Sequence, residues 1–290
     1  MALDDLLGRV CRLTILRLGP PGAFLTAGSS AAGDDEPQGR APTVLLPGSE
    51  VPEGAAIGDE LAVFVYLDSD DRPVATLRAP RLELGEVAFL EVTDVARVGA
   101  FVDWGLPKEL LVPFAEQTRD LNVGERHPIG LYLDTTARLA GTMRISEMLG
   151  APRAGLSLDE WVEGEAWRNE PEIGLFVIFE RASVGLVPAS EPHALTRGQA
   201  ARFRVTSILP DGKIELSLRG LAHEELEGDA AAILARLARG DTARVGNQST
   251  PEEIRALFGL SKKAFKRAAG RLLKERAAAL DGQGFLTLRR

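Results

Sequence analysis

One pattern occurs three times in the first 220 residues, and this repetition constrains the fold more than any other feature of the chain. Each copy begins with a glycine and an apolar run: GAFLT at 22–26, GAFVDWG at 99–105 and GLFVIFE at 174–180. A short segment ending in Leu-Pro or Val-Pro follows in each copy. The copy closes with two turns around an apolar segment and then an arginine: Arg78, Arg144 or Arg219. The constant order indicates one domain repeated in tandem.

The apolar alternation within each copy predicts about five short strands and leaves room only for a short helix. A small closed barrel is the usual way to protect the edges of such a sheet. We therefore predict a mainly β fold of three tandem five-stranded OB-fold barrels, at 1–80, 81–146 and 147–221. Residues 28–42, rich in Gly, Ser, Pro and acidic residues, are predicted to be a disordered loop of the first barrel. Residues 147–166 are predicted to be a linker with a short helix at LSLDEWVEG.

The remaining segment, 222–290, has helical capping signals and predicts a different, α+β domain. A first helix is predicted at 224–239, ended by Gly240. A second begins at Pro251, where Thr250 is the N-cap and Glu253 completes a capping box. Ser261 caps a third helix, and a hairpin with its turn at 281–284 follows. Three helices and a hairpin are typical of a winged helix.

Composition excludes several classes of protein. With Cys11 as the only cysteine, the chain can form neither an internal disulfide nor a thiol cluster for zinc. The first ten residues carry acidic residues where a secretory signal has lysines, and the longest apolar stretches are of strand length. These features predict a cytoplasmic protein without a membrane partner.

No motif in the sequence indicates catalysis or a cofactor. The three histidines, His127, His193 and His223, lie far apart and lack metal-ligand spacing. Asp68, Asp70 and Asp71 lack the glycine and the distal glutamate of a calcium loop, and no phosphate-binding GxxxxGK[ST] motif is present. We predict that the chain is not an enzyme and binds no cofactor or metal.

Charge is segregated along the chain, although the net charge is -8. From residue 222 onward, 13 basic residues stand against nine acidic ones, whereas the first 221 residues contain 21 basic and 33 acidic ones. The C-terminal segment is therefore at +4 and the rest at -12. Phosphate binding needs local positive charge, so the C-terminal domain is a candidate for it.

A recurrent phenylalanine is the first candidate for binding nucleic acid. Strand alternation places Ala100, Val102 and Trp104 on one face of their strand and Phe101 on the other. If the first face is the core, Phe101 is exposed, and by the same parity Phe24 and Phe176 are exposed, where they could stack on bases. The alternative is inverted parity, with all three rings in the cores.

The second repeat combines aromatic and basic residues most densely and is the preferred barrel site. Arg97, Lys108 and Arg119 are predicted near the face of Phe101, and Phe114 either adds a stacking surface or packs inside. Arg144, at the end of the repeat, either reaches phosphate or is simply solvated. The same two alternatives hold for Arg78 and Arg219.

The third helix of the C-terminal domain is the second candidate. Its helical periodicity places Ala264, Phe265, Ala268, Ala269 and Leu272 on one arc and the basic residues on the other: Lys262, Lys263, Lys266, Arg267, Arg271 and Lys274. Such a face is often only solvated, but in a helix-turn-helix it can contact nucleic acid. Because the exposed arc lacks Asn and Gln, phosphate contact is favoured over reading of adenine edges.

These repeats resemble the RNA-binding domain first described in ribosomal protein S1. The run GAFVDWGLPKELLVPFAEQ closely resembles the second repeat of the conserved virulence factor B family of bacterial RNA-binding proteins. The resemblance implies three such domains, a winged helix and a regulatory role in bacterial gene expression. The general domain pattern has an aromatic residue before the Gly-Ala-Phe turn and a histidine before an Ile-Ser pair. In repeats one to three the position of the aromatic residue holds Pro21, Val98 and Ile173. The position of the histidine holds Pro47, Pro113 and Pro188.

Three hypotheses about function follow from the sequence. The leading one is a single-stranded RNA binder whose barrels stack bases and whose winged helix adds electrostatic affinity. The second is a transcription factor whose winged helix binds DNA. The third is an adaptor whose acidic barrels bind a basic protein or ribosomal surface.

Overall fold

The chain divides into two units, Met1–Leu216 and Ser217–Arg290. In the computed structural model the described residues are 5–27, 43–220, 222–239, 245–246 and 248–289, with only the backbone described at 222–226. The predicted loop at 28–42 lies outside these ranges. The first unit is built of strands and short 3-10 helices, and the described part of the second holds three α-helices and a two-stranded hairpin.

Each repeat folds into five strands, as the alternation predicts. The strands of the first barrel are β1 (Val10–Gly19), β2 (Gly22–Thr26), β3 (Thr43–Pro47), β4 (Glu60–Leu67) and β5 (Pro73–Thr76). Those of the second are β6 (Val87–Ala96), β7 (Gly99–Asp103), β8 (Leu110–Pro113), β9 (Arg126–Leu133) and β10 (Leu139–Thr142). Those of the third are β11 (Trp161–Glu170), β12 (Gly174–Phe179), β13 (Ser183–Pro188), β14 (Ala200–Ile208) and β15 (Ile214–Ser217).

Strand order is the same in the three repeats, but closure differs. The first and third form closed barrels, in the orders β1-β2-β3-β5-β4 and β11-β12-β13-β15-β14. The second is a five-stranded sheet in the order β10-β9-β6-β7-β8, and no hydrogen-bonded ladder joins β8 to β10 within the described ranges. The prediction of three five-stranded barrels is therefore confirmed, with the second barrel nearly closed.

Alternate residues of each strand fill the barrel cores. In the second barrel Ala100, Val102 and Trp104 are buried, which decides between the two parities that strand alternation allows. The Trp104 ring packs edge-on against Phe64 of the first barrel, with 5.7 Å between ring centroids, and against Tyr66 at 6.3 Å. Neighbouring barrels in the first unit therefore share apolar contacts.

A polar contact also joins the second and third barrels. Phe89 lies in β6 before its ladder with β7 begins at Glu91, so its backbone groups take side-chain partners. Its N–H donates to Glu165 Oε2 at 2.9 Å, and its carbonyl accepts from Arg126 Nη2 at 2.9 Å. Burial raises the pKa of the Glu165 carboxyl, and the Phe89 N–H and the Arg126 charge oppose this effect.

The predicted linker at 147–166 is wrong in its second half. Strand β11 begins at Trp161, and residues 156–160 form turns instead of the predicted short helix. The reason is the period-two pattern of WVEGEA, in which Val162, Gly164 and Ala166 are buried and the residues between them are not. The domain boundaries given above stay predictions.

The second unit has the helices that its capping signals predict. They are α1 (Ala222–Ala238), α2 (Pro251–Phe258) and α3 (Lys262–Lys274), followed by β16 (Ala278–Leu280) and β17 (Leu286–Leu288). Thr250 and Glu253 form the predicted capping box, and the Ser261 side chain accepts from the Ala264 N–H. Gly240 lies outside the described residues. The core contains Ile233, Ile254, Phe265, Ala268 and Leu272.

Replacing Thr250 with alanine is expected to lower the free energy of unfolding of this unit by about 1 kcal/mol, because the Glu253 N–H loses its acceptor. Thr250→Ser keeps a hydroxyl acceptor and is the matched control. Hydrogen exchange of the α2 backbone, measured by mass spectrometry on the full chain, reports the loss. Equal exchange in the two variants would contradict the capping role.

Candidate nucleic-acid interface

The three recurrent phenylalanines occupy the same position in their barrels, at the centre of the second strand. Each lies between one residue of the first strand and a leucine of the third: Phe24 between Arg17 and Leu45, Phe101 between Asp94 and Leu111, and Phe176 between Arg168 and Leu186. All three rings are half-buried, and the residues on either side of each along the strand are buried. The rings therefore lie on the outer faces of the barrels. Their role in binding stays a prediction.

Two of the three rings are covered by an arginine. Arg17 Cζ lies 3.4 Å from the centroid of the Phe24 ring. Arg168 Cζ lies 4.5 Å from the Phe176 ring and 5.0 Å from that of Trp167. These are cation–π contacts, which a guanidinium makes readily because it is planar and weakly hydrated.

Sequence reasoning missed both arginines. Arg17 stands seven positions before Phe24, and Arg168 stands eight before Phe176, so no constant spacing marks them. A β-bulge precedes each of them, at Ile15/Arg17 and Ala166/Arg168, and it determines which residue faces the ring.

Phe101, in the second barrel, lines a cleft of about 240 Å³ instead of an open face. Tyr66 and Arg138 share the cleft, and so does the predicted site residue Lys108. Lys108 Nζ donates to the Asp68 carbonyl at 2.7 Å, and Arg138 is ion-paired with Asp71 at 2.5 Å. Because Tyr66 comes from the first barrel, no pattern within the second repeat could predict it.

The other site residues predicted in the second barrel lie at its surface. Arg97 and Arg119 are exposed, and Phe114 is 52% exposed in a short 3-10 helix. Arg144 is exposed, and its Nη2 donates to the Ala115 carbonyl at 3.0 Å, next to Phe114. Arg119 lies near Arg197 of the third barrel, whose guanidinium pKa is lowered by burial and by the Arg119 charge.

The predicted basic face is present on α3. Lys263, Lys266, Arg267 and Lys274 are exposed, and Lys262 is half-buried. Within the described part of the chain no ion pair involves these five side chains. On the opposite face Phe265, Ala268, Ala269 and Leu272 are buried.

Arg271 differs from the rest of this face. Its guanidinium pairs with Glu227 at 3.0 Å and with Glu275 at 2.7 Å. Hydrogen bonds to Glu275 and Glu227 raise its pKa. Two carboxylates therefore offset the charge of Arg271.

Comparison with known proteins identifies one domain in each unit. Residues 7–78 match the S1 domain, and residues 231–285 match the CvfB-like winged helix domain. The chain is 31% identical to the uncharacterized protein YitL of Bacillus subtilis, over 80% of this chain and 81% of that protein. It is 29% identical to conserved virulence factor B of Staphylococcus epidermidis, over 85% of this chain and 86% of that protein. The chain belongs to the conserved virulence factor B family.

A solved structure also resembles this family member. It is a multidomain protein with nucleic acid binding domains from Streptococcus pneumoniae, 25% identical, and the match covers 98% of this chain and 99% of that one. The TM-score is 0.42. S1 and winged-helix domains bind nucleic acid, so the chain carries a nucleic-acid-binding domain in each unit.

This family member has apolar residues where the general S1 pattern has its further aromatic. Val98 is 58% exposed and Ile173 is 52% exposed, at the turns before the Gly that starts the second strand. They place an aliphatic side chain, not an aromatic ring, at the edge of the outer barrel face that carries the phenylalanine. The recurrent phenylalanine is thus the aromatic residue that all three repeats keep on this surface.

Within the described ranges, no group of three His, Cys, Asp or Glu side chains is arranged to hold a metal ion. No helix in those ranges has the length and apolarity required to cross a membrane.

Proposed function

We propose that this protein is a regulator that binds single-stranded RNA through its OB-fold barrels and its basic winged helix, and so influences bacterial gene expression after transcription. The observation that carries the proposal is the recurrence of a half-buried phenylalanine ring on the outer face of every barrel. A partly exposed ring can stack on a base only if that base is free of a duplex.

The basic face of α3 supports the same proposal through electrostatics. Four exposed cations on one helix attract a polyanion of either type. Since no Asn or Gln lies on that arc, phosphate contact without sequence readout is the expected mode. Weak sites on several domains of one chain reinforce each other by raising the effective concentration of RNA at the next site.

Membership of the conserved virulence factor B family favours a regulatory role over a catalytic one. Both matched domains are nucleic-acid-binding domains. A protein of this kind would act by occupying a transcript. A winged-helix DNA regulator and a protein adaptor are the alternatives, and they are distinguished by competition.

The proposal is tested by fluorescence anisotropy with a labelled single-stranded RNA of mixed sequence. We expect single-stranded RNA to bind and to outcompete duplex DNA. The triple variant Phe24→Ala, Phe101→Ala, Phe176→Ala is expected to bind at least about tenfold more weakly, since each stacked base contributes about 1 to 3 kcal/mol. Ile57→Ala, which removes a side chain that is 66% exposed and lies outside the strands, is the control.

Three results would reject the proposal. In the first, the triple variant binds RNA as tightly as the unchanged protein. In the second, duplex DNA is the better competitor, as expected of a transcription factor. In the third, RNA does not bind while a protein partner remains bound after nuclease treatment, as expected of an adaptor.

A further inference from the structure

We propose that the first and third barrels, not the second, bind bases, and that Arg17 and Arg168 are base-contacting residues. In each of these barrels one base would insert between the phenylalanine ring and the guanidinium that now covers it. This inference rests on the proposed RNA binding and specifies which barrels perform it. One position in each barrel determines whether that barrel binds a base, and it is occupied by Arg17, Asp94 and Arg168 in turn.

The first barrel offers the clearest geometry. At 3.4 Å from the Phe24 centroid, the Arg17 guanidinium lies where a stacked base would lie. Within the described residues, no ion pair or side-chain hydrogen bond involves Arg17. A cation–π contact at an exposed site is weaker than base stacking, so a base can displace the guanidinium. The displaced arginine can then stack on the other face of the base or pair with its phosphate.

The third barrel repeats this arrangement with a second ring nearby. Arg168 lies over both Phe176 and Trp167, and its Nε is 4.0 Å from Glu170. Its side chain is 54% exposed. The guanidinium is thus loosely held, and displacing it breaks no close ion pair with Glu170.

The second barrel has the opposite charge at this position. Asp94 faces Phe101, and Glu91 faces Asp103 in the next outward pair of the same ladder. Asp94 accepts from the Val95 N–H at 2.8 Å, and Asp103 is paired with Arg81 at 2.5 Å. Arg81 offsets the charge of Asp103, and the carboxylates of Asp94 and Glu91 on the same face repel phosphates.

The cations near Phe101 do not reverse this effect. Lys108 donates to the Asp68 carbonyl, and Arg138 is paired with Asp71. Glu109 and Asp134 line the same cleft. The cleft thus holds two cations and three carboxylates, which does not favour a polyanion.

In all three barrels a β-bulge places the residue at this position, Arg17, Asp94 or Arg168, against the phenylalanine ring. The register shifts between Ile15 and Arg17, between Val92 and Asp94, and between Ala166 and Arg168. The residue that follows each shift is the cross-strand partner of the phenylalanine. The barrels thus share one backbone geometry and differ in the charge placed against the ring.

Exchange of these charges tests the inference. Arg17→Asp and Arg168→Asp are each expected to weaken binding of a mixed-sequence single-stranded RNA by about tenfold. Asp94→Arg is expected to strengthen it severalfold by giving the second barrel the arrangement of the other two. Arg12→Asp is the control, because Arg12 is exposed on β1, pairs with Ala62, and carries the same change of charge. Circular dichroism verifies that each variant is folded.

Photocrosslinking shows where the RNA lies on the protein, which a measurement of affinity does not. RNA containing 4-thiouridine is expected to form adducts with peptides containing Phe24 and Phe176 and not with the peptide containing Phe101. Adducts concentrated at Phe101 would overturn the inference, as would equal losses for Arg12→Asp and Arg17→Asp. If the unchanged protein binds no RNA, the proposed function itself fails. If it binds RNA and all three charge variants bind as it does, only the inference fails.

Discussion

Replacing Lys263, Lys266, Arg267 and Lys274 with glutamine is expected to weaken single-stranded RNA binding by about 100-fold near 0.1 M salt, through loss of phosphate contacts. These four side chains are exposed on one face of α3, and no ion pair in the described ranges offsets their charge. Each lost contact should reduce the slope of log affinity against log salt by about 0.7. Titration of labelled RNA at several salt concentrations measures both quantities.

Arg271→Gln is the matched control for this prediction. It removes one positive charge from the same helix, but that charge is already paired with Glu227 and Glu275. We expect a change in affinity of less than about threefold and little change in slope. If the fourfold variant keeps the salt dependence of the unchanged protein, α3 is not a phosphate-binding surface.

Gly99→Ala is expected to destabilise the second barrel by about 4 kcal/mol. Gly99 has a φ of 151°, a conformation that other residues rarely adopt, at a cost of about 1 to 3 kcal/mol. A Cβ at this position would lie 2.2 Å from the Val112 carbonyl oxygen, a backbone atom that cannot rotate away. Relieving that contact requires β7 and β8 to separate, which adds about 1 to 3 kcal/mol.

Gly124→Ala separates the two contributions. Gly124 has a φ of 84°, and a Cβ there would meet nothing within 4 Å. It therefore carries backbone strain without the close contact, and a loss of about 1 kcal/mol is expected. Urea unfolding followed by tryptophan fluorescence, to which the buried Trp104 contributes, measures both variants. Equal losses would show that the strands adjust freely around an added methyl group.

The same close approach explains why a glycine begins the apolar run of every repeat. A Cβ at Gly22 would lie 2.0 Å from the Leu46 carbonyl oxygen, and one at Gly174 would lie 2.0 Å from that of Val187. The glycine allows the second and third strands to approach closely, and the phenylalanine two residues later is thereby held on the outer face. Stability and the candidate binding surface thus depend on the same short motif.

Local patterns in the sequence were sufficient to predict the elements and their faces. Period-two alternation predicted five strands per repeat and put Trp104 and Phe101 on opposite faces, and the structure showed that Trp104 is inside and Phe101 outside. The spacing of Thr250, Pro251 and Glu253 identified the start of α2, and a period of 3.6 separated the buried and basic faces of α3. Each of these features depends on residues within a few positions of one another, so it can be predicted from the sequence alone. The helix predicted at 156–164 failed because Val162 and its alternating neighbours belong to a strand.

Contacts between distant residues were decided only by the tertiary structure. A bulge of one residue places an arginine against the ring in the first and third barrels, Arg17 and Arg168, and an aspartate, Asp94, in the second. No periodicity in the sequence specifies where such a bulge falls. Arg271 and Glu227 are 44 residues apart in the chain, and they form an ion pair only because α1 packs against α3. The sequence thus determined which side chains share one face of a strand or helix. Cross-strand register and packing between elements decided which charges surround them, because electrostatic partners are set by distance in space.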